Sequence, residues 1–224
     1  MKTHKKTIQT MLEIRKFPCN MLMENCYIVS DETKECVIID CGAFYEEENN
    51  AIEDYIRGNK LTPRHLLLTH GHLDHNFGNR FIYDTFGLKP EVSAKDKYLM
   101  DKLKEQGNNL FHIDLEQDFP PVGHYFEEGE SIKFGHTEFT IIETPGHSCG
   151  SVTFYSAKEQ VAFTGDTLFS GSIGRTDFEG GSMFQIIQSL RLLAQLPDST
   201  VVYPGHGPTT TIGNELAHNP YMDR

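Results

Sequence analysis

The chain has 224 residues, a formal net charge of −12, 38% hydrophobic residues and 23% charged ones. That is enough apolar material for a core and too little charge for wholesale disorder, and the acidic balance argues against nucleic acid and anionic membranes as partners. No run approaches the ~18 consecutive apolar residues of a membrane span, "TIQTMLEIRKF" lacks the apolar core of a signal peptide, and the basic "KTHKK" reads as a solvated tail.

In chain order, "LEIRKF", "NCYIVS" and "ECVIID" are rich in β-formers and predict an antiparallel meander, with "DETK" as a hairpin-sized connection. "NNAIEDYIRGN" predicts an amphipathic helix ending at Gly58, and "HLLLT" a short strand buried on both faces. Helical signals follow around Asn76 to Phe86 and Ala94 to Gln106, then an irregular stretch from Gly107 to Gly123. "SIKFG" and "TEFTIIETP" predict a hairpin, and "SVTFYS" and "QVAFTG" two further strands. "SMFQIIQSLRLLAQLP" is the clearest helix, with an apolar stripe of Met183, Ile186, Ile187, Leu190 and Leu193 and a capping box from Ser182 to Gln185. "TVVYP" closes the series as a buried strand. No linker or repeat interrupts it, so the expectation is one layered domain of strands and helices.

The cysteines, Cys19, Cys26, Cys36, Cys41 and Cys149, are odd in number and form no CxxC pair. They read as reduced thiols of a cytoplasmic protein, most of them small buried apolar residues.

Chemistry concentrates behind "HLLLT". His70, His72, Asp74 and His75 fall within six positions where a strand ends, and imidazole with carboxylate suits zinc, iron or manganese. One such loop could give two ligands to each of two adjacent metals, yet four residues cannot saturate both. Further ligands are therefore expected at other strand ends. "IIETPGHS" places His147 there, "VAFTGDT" places Asp166 and "VVYPGHG" places His206. His4, His65, His112, His124, His136 and His218 have no comparable setting and read as structural or surface residues.

"THGHLDH", "PGHS", "GDT" and "PGHG", in that order, resemble the signature of the metallo-β-lactamase superfamily, with the likeness running from "NCYIVS" through "VIIDCG" to "YPGHG". The resemblance implies an α+β or α/β fold, a four-layer αββα sandwich forming one domain over residues 1–224, with a metal site at one edge. It implies two divalent ions, zinc foremost with iron or manganese as alternatives. His70, His72 and His147 would hold the first, Asp74, His75 and His206 the second, and Asp166 would bridge them. Asp74 and Asp166 would also orient a bridging hydroxide that attacks the substrate. Asp40 would lie beside the metal loop. Cys41, where the family usually carries proline, would lie close by without being a ligand. An aspartate at position 166, where the best-known β-lactamases carry cysteine, argues against a β-lactam substrate.

"GDTLFSGSIGRTDFEGG" and "YPGHGPTTTIGNE" resemble the glyoxalase II-like branch, which hydrolyses thioesters such as hydroxyacylglutathione. The chain ends soon after His206 and so resembles the short bacterial form, without the helical domain that contributes glutathione contacts. "GRTDF" is also shared with persulfide dioxygenases, which would hold a single iron through His70, His147 and Asp166. Lactone hydrolysis is a third option. Arg175 is a candidate anchor for an anionic substrate tail, with a salt bridge to Asp177 or Glu179 as the alternative. The partner expected is a small-molecule thioester or ester.

Overall fold

The computed structural model describes residues 12 to 223 apart from 117 and 128, so the "KTHKK" tail, His4 and the "TIQTM" that opens "TIQTMLEIRKF" lie outside the described residues. Alternation along "NCYIVS" sets the architecture. Tyr27 and Val29 turn to one face of the strand and Cys26 and Ile28 to the other, each into a different buried cluster.

The first sheet begins with the expected antiparallel meander of β1 (Glu13–Cys19), β2 (Glu24–Ser30) and β3 (Glu35–Ile39). Three parallel strands extend it: β4 (Thr62–Leu67), β5 (Pro90–Ser93) and β6 (His124–Phe126). Parallel neighbours need crossovers, and α1 (Glu46–Gly58) and α2 (Asn79–Phe86) supply the first two. Two single-turn helices follow β5, α3 (Lys97–Met100) and α4 (Leu103–Gln106), and run into a π-helical turn over Gly107–Phe111.

The second sheet comprises β7 (Ser131–Phe134), β8 (Thr137–Glu143), β9 (Val152–Ser156) and β10 (Val161–Gly165) as an antiparallel run. A two-stranded hairpin, β11 (Leu168–Phe169) with β12 (Ser172–Ile173), and α5 (Met183–Leu193) lead to β13 (Val201–Pro204), which pairs parallel to β10. β14 (Thr210–Thr211) and α6 (Ile212–His218) complete the chain's regular structure.

Three apolar layers hold these elements together. Tyr27, Val29, Val37 and Ile39 of the first sheet meet Phe139, Phe154 and Phe163 of the second. Outside the first sheet, Cys26, Ile28 and Ile38 pack on Ile52 and Ile56 of α1 and Ile82 of α2. Outside the second, Val202 and Leu168 pack on Leu190 and Leu193 of α5 and Ile212 of α6. Helix, sheet, sheet, helix is the four-layer αββα order, an α+β fold. Four of the five cysteines are buried, as expected, while Cys149 is half-buried. Among the described residues no helix is long and apolar enough to cross a membrane.

Some elements differ from expectation for local reasons. The first helix starts at Glu46 rather than Asn49, because Glu48 Oε2 accepts from the backbone N–H groups of Phe44 and Tyr45 at 2.8 and 3.1 Å and caps an earlier turn. The helix expected over 94–106 is broken after Met100. Leu99 O accepts from Lys102 N and from the Gln106 side chain, both at 3.0 Å, where an unbroken helix would use Leu103 N. In α5 the cap holds, with Ser182 Oγ accepting from Gln185 N, but Met183 is exposed and the buried stripe is Ile186, Leu190 and Leu193.

Candidate metal centre

Strand β4 delivers the chain into a buried segment, Leu66 to Asn79, whose Leu73–His75 stretch coils into a 3₁₀ turn. Asn76 Nδ2 donates to His72 O at 2.6 Å and closes the turn from inside. Gly71 is needed because a Cβ there would lie 2.7 Å from Leu99 Cβ. β8, β10 and β13 end at the same edge and bring in His147, Asp166 and His206. All seven sequence-predicted residues meet there. His70, His72 and His147 offer donor atoms within 4.8 Å of one another, as do His70, His75 and Asp166, and Asp74, His75 and His206.

The fine geometry suits cation binding. His72 Nδ1 lies 2.8 Å from His147 Nε2, a close approach of two ring nitrogens that one shared cation would use. Asp166 is surrounded: His75 Nε2 is 3.3 Å from its Oδ1, and His147 and His206 Nε2 are 3.5 and 3.7 Å from its Oδ2. His206 Nε2 lies 3.2 Å from Asp74 Oδ2. His70 Nε2, His75 Nε2 and Asp166 Oδ1 are buried with no hydrogen-bond partner. Orphaned polar atoms of this kind are costly, and three of them converging on one point fit a divalent ion.

Outer partners fix which nitrogen faces inward. His75 Nδ1 donates to Asp40 Oδ2 at 3.0 Å, His147 Nδ1 to Arg175 O at 2.8 Å and His206 Nδ1 to Leu22 O at 3.2 Å. Thr69 Oγ1 donates to Asp40 Oδ2 at 2.6 Å, which leaves its oxygen to accept from His70 Nδ1 at 3.0 Å. Four imidazoles thus present Nε2 to the centre, and His72 presents Nδ1. Asp40 has the place beside the metal loop that the sequence resemblance implied.

Burial holds His70 well below the usual histidine range and His72 down at about 3, with neighbouring histidines adding to both. These rings are neutral and their lone pairs free to ligate. Burial alone would push Asp166 and Asp74 up, but His75 and His206 outweigh it and hold both carboxylates below their ordinary values. The same partners, against the effect of burial, hold His75 and His206 above theirs.

Sequence reasoning missed two residues that shape the site. Asp96 is fully buried, with Oδ2 accepting from Gly71 N at 2.9 Å and Ser148 Oγ at 2.6 Å and Oδ1 from Gly150 N at 2.6 Å. It ties the loop after β4 to the loop after β8. Gln106 accepts from Leu73 N and donates to Gly71 O and Leu99 O. Of the other histidines, His65 pairs with Glu91, His124 with Glu130 and His136 with Glu32, while His218 donates to Asn214 O.

A cavity of about 580 Å³ opens over the cluster, walled by Leu22, Phe111, Phe169, Ile173 and Phe178, with Arg175 on its lining. Arg175 holds Asp177 through both prongs of its guanidinium, at 2.9 and 2.7 Å, and lies 4.2 Å from the centre of the Phe178 ring.

Known proteins are similar to this chain in sequence and fold. Residues 20–206 match the metallo-β-lactamase superfamily. A protein of Haemophilus influenzae, hydroxyacylglutathione hydrolase GloC, is 38% identical over 216 residues, spanning 95% of this chain and 99% of the relative. Among solved structures, the BLEG-1 B3 metallo-β-lactamase superposes with a TM-score of 0.85 at 34% identity, covering 94% of this chain and 99% of the other. TTHA1623 in a di-iron-bound form gives 0.82 at 32% identity, covering 93% and all of the other chain. The chain belongs to the metallo-β-lactamase superfamily, a family of metallo-hydrolases that bind divalent metal.

Proposed function

We propose that the protein hydrolyses a thioester of the hydroxyacylglutathione type, with two divalent ions, zinc foremost, held at the cluster. His70, His72 and His147 would hold one and Asp74, His75 and His206 the other, with Asp166 between them. The carrying observation is the convergence of His75, His147 and His206 on Asp166, whose Oδ1 has no donor of its own. The end-to-end likeness to a hydroxyacylglutathione hydrolase supports the thioester class.

Bound there, a divalent pair would lower the pKa of water from about 15.7 toward about 7 and polarise the substrate carbonyl. The chain's own groups do the rest. Asp74 and Asp166 stay ionised and face the cavity, where their oxygens accept from an attacking water and orient it. The apolar wall around Leu22, Phe169 and Phe178 displaces bulk water from the acyl group and strengthens every charge interaction inside. Arg175 would anchor an anionic tail at the rim by exchanging Asp177 for it; replacing it with alanine should raise KM more than it lowers kcat.

Elemental analysis together with turnover tests this reading. Two zinc ions per chain and thioester hydrolysis that is lost with chelator are expected. One iron per chain, with oxygen uptake on a thiol persulfide, would overturn it in favour of a dioxygenase. Faster turnover of a lactone or a β-lactam than of any thioester would overturn the substrate class and leave the metal site standing.

A further inference from the structure

Beside the main cavity lies a second, of about 250 Å³, and the two share His72, Asn109, Leu110 and Phe178. They therefore meet at the edge of the metal cluster, and one ligand can reach both. The main cavity holds the cluster's Asp74 and Asp166 and, at its lining, Arg175, and the side cavity adds Lys102, Glu105 and Glu179. Gln106 also lines it, but its amide is fully engaged by Leu73, Gly71 and Leu99. Charge in the side cavity is thus mixed, one cation beside two carboxylates.

The two nearby cations are not equally available. Both prongs of Arg175 are taken by Asp177, and its flat face is stacked on Phe178. Lys102 Nζ stands 3.6 Å from Glu179 Oε2, beyond hydrogen-bonding distance, and that glutamate is itself 71% exposed. Glu105 is exposed and has no ion pair among the described residues. An entering carboxylate gains more at Lys102, where it breaks no existing bidentate pair. An entering ammonium finds Glu105 one turn away on α4.

We propose that the side cavity is a substrate subsite for an amino-acid-type zwitterion carried by the thiol portion, with its carboxylate on Lys102 and its ammonium on Glu105. This rests on the thioester reading of the main cavity and deepens it. A thiol carrying several phosphates would meet Glu105 and Glu179 and be turned away, so the subsite favours γ-glutamyl thiols over phosphorylated ones. The segment from β5 to β6 would then supply the thiol recognition.

Calorimetric binding to the metal-loaded protein tests the subsite without relying on turnover. The probes are glutathione and N-acetyl-cysteinyl-glycine, which differ only in the γ-glutamyl zwitterion. The wild type is expected to prefer glutathione by about tenfold, and Lys102→Ala and Glu105→Gln should each shrink the preference to about twofold. Arg175→Ala should weaken both probes equally, since both keep the glycine carboxylate. Equal affinity in the wild type, or a Lys102→Ala protein that loses both probes by the same factor, would overturn the proposal. Failure to hydrolyse thioesters with the binding preference intact would sink the hydrolase reading alone. Hydrolysis without the preference would sink the subsite alone.

Discussion

Asp31 and Asp166 occupy opposite ends of the sandwich, and both gather a histidine and hydrogen-bond donors around a carboxylate. At the turn after β2, Asp31 Oδ1 accepts from the backbone and side chain of Thr33, and Oδ2 accepts from His136 N and Thr137 Oγ1. Glu32 and His136 complete a triad whose composition resembles a metal site. Yet every lone pair of Asp31 is spoken for by a neutral donor, and the group staples the β2–β3 turn to the β7–β8 turn. Asp166 Oδ1 has no donor at all and faces imidazole nitrogens whose other sides are already fixed. Composition alone does not separate a staple from a site; the fate of each oxygen does.

Replacing Asp166 with asparagine is the sharpest way to break that contrast. It keeps the volume and removes the charge, and kcat/KM should fall by at least about 100-fold with loss of bound metal. Turnover that survives with full metal content would refute the role given to this carboxylate. Next in size is Asp96→Ala, which frees Gly71 N, Gly150 N and Ser148 Oγ at once. Residues at this remove from a metal typically alter its affinity by about 10–100-fold, a change that chelator competition would read. Asp31→Asn should do the reverse of both. It should cost about 1–3 kcal/mol of stability in urea denaturation through the unmatched N–H and O–H donors and leave metal content unchanged. A metal loss there would make the far triad a site after all.

These residues were not equally legible in the sequence. His147, Asp166 and His206 stood out because each follows an apolar strand and a small turn, a setting in which a polar side chain is forced toward the sheet edge. Asp96 gave no such signal. It sits in "SAKDKYLMDK", where acid and base alternate as on any solvated helix, and only the fold shows it buried. Gln106 was hidden for a related reason: its amide takes the Leu99 carbonyl and breaks the helix that periodicity predicts across it. The strands β5 and β6 are four and three residues long, too short for a period-2 pattern to register. The side cavity's Lys102 and Glu105 looked like ordinary surface charge, because their meaning lies in which cavity they line.

His65 gives the smallest and most controlled comparison, since it lies on β4, five positions before His70, in the strand that leads to the site. Its Nδ1 lies 2.7 Å from Glu91 Oε1, and that hydrogen bond holds its pKa above the ordinary histidine value, against partial burial. Burial instead holds His70 and His72 below theirs. A raised folded-state pKa means that the His65–Glu91 pair contributes its full stabilisation below the unfolded value of about 6.5 and loses it as pH rises through the folded one. Because the pair is partly exposed and screened, the effect should stay below about 1 kcal/mol. The difference in urea midpoint between wild type and His65→Gln should therefore be largest near pH 5.5 and shrink toward pH 9, with metal content equal in the two proteins. A difference that grows with pH would mean that His65 is held neutral, as His70 and His72 are. The distinction between a paired histidine and a ligand histidine would then have to rest on position alone.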